Sequence, residues 1–344
     1  MPPAPQDPES PAPRASTRGS LPLGTFPTPV HALEALSTPR VLVYVKRDDR
    51  SGEAYGGNKV RKLEPVLFDA RARGKTRLLT VGAAGSHHVL ATATYGLAAG
   101  FAVAAVLVPQ PGNLHVVTNL RASLGRGLEP ICARGFHEVP LQVLAHMTPQ
   151  TAFVSLGGSS VTGTLGYVDA AFELRAQIEA GALPEPDVIV TALGSGGTVA
   201  GLAVGLEAAG LASRVVAVAV SSPVFVLEGL MARLVRRTAR RAAVDAAGAL
   251  ARVRVEGGFL GAGYGHATPQ GELATARAAE VGLALDPTYT AKAFAAALAE
   301  IARLEAAGEP RTVLYWHTLS SAPMAPLLAT APESLEGELR DLVR

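Results

Sequence analysis

Cysteine is nearly absent: Cys132 is alone among 344 residues. A single thiol excludes an intrachain disulfide framework and any cysteine-rich zinc or iron–sulfur site, and it fits a reducing, cytoplasmic compartment. Charge is sparse and balanced, with 31 Lys+Arg against 29 Asp+Glu and a net charge of +2. That balance excludes a nucleic-acid binder held by many phosphate contacts. Charged residues make up 17% and apolar residues 48%, the reverse of a disordered chain. The Pro-, Ser- and Ala-rich stretch Met1–Ser20 lacks an apolar core and reads as a loose tail, not a signal peptide. Two uncharged runs, 89–108 and 188–206, are long enough to cross a membrane. Thr92, Thr94, Gly96 and Gly100 interrupt the first and Gly194-Ser-Gly-Gly197 the second. Both read as paired elements of a buried α/β unit, so no membrane is expected. Several catalytic signatures are also missing. Gly74-Lys75-Thr76 has Asp69 where a Walker A loop needs its first glycine. HExxH and GxSxG are absent. His87 and His88 are neighbours that diverge on a helix, so no metal site is expected.

What is present is alternation. Strand-like runs at Val41–Val45, Leu78–Val81, Phe101–Val108, Leu128–Cys132, Val188–Leu193, Val215–Val220 and Val313–Trp316 alternate with helical stretches at 59–73, 88–99, 113–124, 163–180, 198–209, 267–280 and 291–306. The pattern predicts parallel sheet with crossover helices. The length favours two α/β units, with Pro184-Glu185-Pro186 as a hinge. Arg233, Arg236, Arg237, Arg240 and Arg241 fall on a helix; a solvated face is favoured over a polyanion site.

Two constellations carry chemistry. Gly194-Ser195-Gly196-Gly197-Thr198 follows a buried strand and opens a helix. Backbone N–H groups at such a terminus bind anions, glycines permit close approach, and Thr198 adds a hydroxyl. Val199 breaks the GxGxxG spacing, which favours one phosphate over a dinucleotide. The bland alternative is a tightly packed helix cap. The second constellation is Gly56-Gly57-Asn58-Lys59, a lysine at a helix start. The positive end of the helix disfavours its ammonium and suits an amine that condenses with a carbonyl. The alternative is an ordinary surface lysine. A phosphate cradle plus an activated lysine points to pyridoxal 5′-phosphate.

At this point the chain resembles the fold-type-II pyridoxal-phosphate enzymes, the tryptophan synthase β superfamily, and within it the branch of D-cysteine desulfhydrase and 1-aminocyclopropane-1-carboxylate deaminase. The resemblance runs from about Leu21 to Leu328. It rests on Leu21-Pro-Leu-Gly-Thr-Phe-Pro-Thr-Pro29, Lys46-Arg-Asp-Asp49, Gly56-Gly-Asn-Lys59 with Arg61-Lys62-Leu63-Glu64, Gly194–Thr198, Gly263-Tyr264-Gly265 and Asp286-Pro-Thr-Tyr289. It implies two open, twisted parallel-sheet units with flanking helices, the smaller (63–182) inserted in the larger (21–62 plus 183–344). It places the cofactor's lysine at Lys59 and cofactor contacts at Asn58, His87, Gly194, Ser195, Gly196, Gly197, Thr198, Thr290 and Thr318. It places Tyr264 and Tyr289 on the substrate side and Ser86 at the substrate carboxylate. It implies a homodimer acting on a small amino acid.

Two positions separate the two activities in the family pattern, and two segments depart from it. Thr290 and Thr318 stand where deaminases carry Glu and Leu, which favours the desulfhydrase side. Thr290 is expected at the cofactor's ring nitrogen, as a weaker partner than a carboxylate. Gly85-Ser86-His87-His88 replaces Gln-Ser-Asn-His, so His87 is expected to meet the cofactor's 3′-oxygen. Leu319-Ser320-Ser321 replaces a Gly-Gly pair and is expected to crowd the ring-nitrogen side. The implied reaction is β-elimination on D-cysteine, giving pyruvate, ammonia and sulfide. The Lys59 amine, or Tyr289 as a phenolate, would take the Cα proton, and Tyr264 or Tyr289 would supply one to the thiolate. The alternatives are the deaminase, another lyase or β-replacement enzyme, and a scaffold with little activity.

Overall fold

The structure is a computed structural model, and it describes residues 19–221, 223–308 and 310–343. The expected tail lies outside the described residues except for Gly19 and Ser20. The strands are β1 (Val30–Ala32), β2 (Val41–Lys46), β3 (Arg77–Ala83), β4 (Ala102–Val108), β5 (Glu129–Cys132), β6 (Thr151–Val154), β7 (Val188–Leu193), β8 (Arg214–Ala219), β9 (Val253–Glu256) and β10 (Arg311–Trp316). They form a six-stranded sheet ordered β1-β2-β10-β7-β8-β9 and a four-stranded sheet ordered β5-β4-β3-β6. All pairings are parallel except that of the edge strand β1 with β2. The uncharged run 89–108 resolves into most of a helix and then β4, and 188–206 into β7 and then a helix. Among the described residues no helix is long and apolar enough to cross a membrane.

Alternation along the strands explains why both sheets are so apolar. Ile189, Leu193, Val215, Ala217, Leu314 and Trp316 enter one core; Val188, Val190, Val216, Val218, Val313 and Tyr315 enter another. Successive side chains leave opposite faces, so each face of the six-stranded sheet has its own packed layer. The same holds for β4, with Val103, Ala105 and Leu107 on one side and Ala104, Val106 and Val108 on the other. The C-terminal stretch returns to the four-stranded sheet, where Leu327 and Leu342 join its core. The arginines on the helix Val224–Ala242 are exposed, as a solvated face requires.

A buried ionic cluster ties these parts together. Asp48, just beyond β2, accepts from Arg61 Nε at 2.9 Å and Nη2 at 2.8 Å, from the Tyr167 hydroxyl at 2.6 Å and from Trp316 Nε1 at 2.7 Å. Arg61 also bonds Glu173 at 2.8 Å and 2.9 Å, and Lys46 pairs with Glu173 as well. Burial alone would raise the Asp48 pKa. The charge and hydrogen bonds of Arg61 oppose it and bring the carboxyl down to about 2. The cluster fixes the start of the helix Asn58–Ala72 against β2, β10 and the helix Val161–Glu179.

Three loops leave the carboxyl ends of parallel strands: residues 84–86 after β3, 194–196 after β7 and 317–319 after β10. In open α/β sheets that edge is where ligands bind.

Candidate active site

Those loops meet around a cavity of about 360 Å³. Its wall includes Asn58, Lys59, Ser86, His87, Gly194, Ser195, Gly196, Thr198, Tyr264, Tyr289, Thr290 and Thr318. Of the catalytic and cofactor residues named from sequence, Gly197 is not in the wall; it is the first helical residue beneath Gly196.

Lys59 is in the first turn of the helix Asn58–Ala72. Gly57, just before it, has φ +91°, and a Cβ there would come within 2.7 Å of the Thr318 carbonyl. Glycine therefore lets this turn lie against the loop after β10. The Lys59 ammonium donates to Asn58 Oδ1 at 2.7 Å, and Asn58 Nδ2 donates to Thr198 Oγ1 at 3.0 Å. Lysine and glycine loop are thus joined through one amide. Burial lowers the Lys59 pKa to about 8, against the opposing pull of the Asp286 carboxylate. Desolvation, not the helix terminus expected from sequence, is the leading cause.

The glycine loop opens the helix Gly197–Ala209 with Gly196 at φ +87°. Ser159 Oγ accepts from Gly197 N–H at 3.0 Å and meets Ser195 Oγ at 2.7 Å. The N–H groups that follow Gly197 in this first turn have no intrahelical partner and are available to an anion. Sequence reasoning missed Lys62, one turn beyond Lys59. It is buried in the same cavity wall, and its ammonium donates to the Gly157 carbonyl at 3.3 Å. Burial, then the charge of Lys59, drives its pKa down. An amine so placed, with one neutral oxygen as its hydrogen-bond partner, regains its proton when an anion binds beside it. The cavity therefore fits a phosphate-bearing carbonyl compound such as pyridoxal 5′-phosphate: an amine, a helix terminus and a counter-charge share one wall.

Three expectations change. His87 lines the cavity, but both ring nitrogens are engaged inside the protein: Nδ1 with the Tyr55 hydroxyl and Nε2 with His115 Nε2 at 2.9 Å. A ring so held has no nitrogen left for a cofactor oxygen. Burial lowers its pKa to about 3, so it stays neutral. Thr290 Oγ1 donates to Asp286 Oδ2 at 2.6 Å and accepts from Asp286 N–H at 2.7 Å, so its proton is committed to its own turn. Of Leu319-Ser320-Ser321, Leu319 lines the cavity but Ser320 and Ser321 do not. Ser320 Oγ accepts from Gly56 N–H at 2.8 Å and Ser321 Oγ donates to the Asp49 carbonyl at 3.0 Å, which brace the Gly56-Gly57 turn from outside.

Asp286 is a second residue that sequence reasoning left out. It lines the cavity and also accepts from the N–H groups of Thr288, Tyr289 and Thr290 at 2.9, 2.7 and 3.1 Å. Burial would raise its pKa, but the hydrogen bonds from Thr290 and the Tyr289 N–H oppose that and hold it low, so it is an anion in the wall. Tyr264 and Tyr289 meet hydroxyl to hydroxyl at 2.6 Å. Burial raises both pKa values, which favours protonated phenols over a phenolate. Ser86 precedes the helix His87–Ala98 without capping it. His317, just beyond β10, is buried and stacks on Tyr315. Among the described residues no group of His, Cys, Asp and Glu is arranged to hold a metal.

Comparison with known proteins bears on this site directly. A model of pyridoxal-phosphate dependent enzymes matches residues 21–318. The chain belongs to that family. It is therefore a pyridoxal-phosphate dependent enzyme, and pyridoxal phosphate is its cofactor. It is 36% identical over 330 residues to nocardicin C-9′ epimerase of Nocardia uniformis subsp. tsuyamanensis, covering 92% of this chain and 97% of the relative. It is 33% identical over 317 residues to D-cysteine desulfhydrase of Salmonella paratyphi A, covering 85% and 91%. A solved structure described as an ACC deaminase homologue superposes with a TM-score of 0.76 at 28% identity, covering 91% and 97%.

Proposed function

We propose that the protein catalyses β-elimination on an amino acid with a sulfur leaving group, D-cysteine being the reference substrate. The observation that carries this is the meeting of a buried amine of lowered pKa, Lys59, with a pair of protonated phenols, Tyr264 and Tyr289, in one cavity. The 33% identity to a D-cysteine desulfhydrase supports the choice of substrate. On this reading Lys59 anchors the cofactor's aldehyde, while Lys62 and the N–H groups after Gly194 hold its phosphate. When bound, the cofactor supplies an electron sink for negative charge developing at the substrate Cα. Once the substrate's amino group has displaced it, the freed Lys59 amine takes the Cα proton at Nζ. The Tyr289 hydroxyl, backed by Tyr264, delivers a proton to the departing sulfur. Ser86 and the N–H groups of its helix terminus orient the substrate carboxylate. His87, fixed by Tyr55 and His115, closes the wall without exchanging a proton. We place these parts in two units, 63–182 and 21–62 with 183–344, the C-terminal stretch around Leu327 and Leu342 packing back onto the first, and expect a cytoplasmic homodimer.

A second reading has a specific support, the 36% identity to an epimerase. Both reactions begin by removing the Cα proton. In epimerisation Tyr289 would return a proton to Cα in place of sulfur. One assay separates them: the protein is incubated with D-cysteine in D₂O while sulfide, pyruvate and Cα deuterium are followed. Elimination predicts equal sulfide and pyruvate, with a fall of about 10²–10³-fold in Tyr289→Phe. Deuterated cysteine of both configurations without sulfide would displace elimination in favour of epimerisation.

A further inference from the structure

The cavity has a second wall that the chemistry above does not use. Phe136, Leu156, Leu227 and Leu230 line it together. They come from three places: the loop after β5, the turn after β6 and the helix Val224–Ala242. Phe136 is 61% exposed, Leu156 45% and Leu230 55%. Large apolar side chains scattered singly over a surface need no explanation; converging on the mouth of one catalytic cavity, they do. A free cysteine has no group to cover them, since its side chain ends at a polarisable sulfur one bond beyond Cβ. A ligand whose amino-acid end reaches Lys59 and whose other end is apolar would remove this surface from water.

Resting on the proposed amino-acid reading, we infer that the physiological substrate is an amino acid carrying an aryl or branched alkyl group beyond Cβ, and that Phe136, Leu156 and Leu230 select it. The polar part of the wall takes the α-amino and carboxylate groups common to all amino acids. The apolar part takes the substituent that distinguishes this substrate from cysteine. In the proposed elimination the sulfur keeps this substituent: the Cβ–S bond breaks, its electron pair leaves on sulfur, and a proton yields the substituted thiol.

Binding of ligands with no leaving group at Cβ tests the inference apart from turnover. Dissociation constants of both enantiomers of alanine and of 2-amino-4-phenylbutanoate are measured by calorimetry on the cofactor-loaded protein, with a visible-absorbance titration as a second readout. The aryl ligand is expected to bind at least about 10-fold more tightly than alanine, from the apolar area it buries. Phe136→Ala with Leu230→Ala should reduce that preference to about 2-fold or less. Both residues are largely exposed, so the double variant keeps its core. Equal binding of the two ligands, or a preference that survives the double variant, overturns the inference; if the variant then dissociates on sedimentation, the wall is a subunit contact. D-cysteine turnover without discrimination between the ligands leaves the proposed reaction standing and removes the inference. No binding of either ligand and no turnover removes both.

Discussion

Replacing Lys59 by alanine lowers turnover by at least about 10³-fold while the protein stays folded. The reason is positional. Lys59 is the amine held between Asn58 and the cavity, and burial keeps its pKa near 8, so a free amine is present near neutrality. Its neighbour Lys62 does not replace it. Lys62 is one helical turn away and its ammonium is turned to the Gly157 carbonyl beside the glycine loop. In Lys59→Ala the characteristic absorbance of the attached cofactor should disappear. Lys62→Ala should keep that absorbance and instead weaken cofactor affinity by about 10-fold or more, as expected for loss of a charged hydrogen bond. Retained absorbance in Lys59→Ala would move the anchor elsewhere.

Replacing Asp48 by alanine costs about 3–5 kcal/mol of stability, the largest effect of a single substitution in this account. The carboxylate neutralises Arg61 and bonds Tyr167 and Trp316 in a region closed to water. Removing it leaves buried cations without their full counter-charge and two polar groups without an acceptor. The midpoint of urea unfolding measures the loss. The wild-type protein should show the same interaction in its pH response. Asp48 titrates near 3.8 when unperturbed and near 2 when folded, and the charges of Arg61 and Lys46 hold Glu173 low as well. Depressed carboxyl values add stability that is present above about pH 4 and lost as pH falls toward 2. Asp48→Ala should flatten that limb of the stability curve. An unchanged urea midpoint would show that the cluster is dispensable.

The parts of the site legible in sequence are those set by local backbone. Gly194–Thr198 and Gly56–Lys59 announce themselves because a glycine turn and a helix start are written in consecutive residues. β6 and β9, four residues each, are not among the strands read from the sequence. The edge strand β1 has three residues. Lys62 and Asp286 were missed for another reason. Lys62 is a site residue only because Gly157, 95 positions away, folds beside it. Asp286 gives the familiar signal of an acid before a helix, and nothing local says that its turn lines the cavity. His87 is the clearest case. As a lone replacement for asparagine it suggests a cofactor contact; with His115 on Nε2 and Tyr55 on Nδ1, it is part of the frame. Ser320 and Ser321 likewise brace the lysine turn, a role fixed by Gly56 and Asp49 far away in sequence.

The most direct test of the account is to load the protein with pyridoxal phosphate, reduce it with borohydride, digest it and locate the label by mass spectrometry. The account predicts one labelled peptide, modified at Lys59. Label at Lys62 or another lysine, or no label in protein that binds the cofactor, would contradict it.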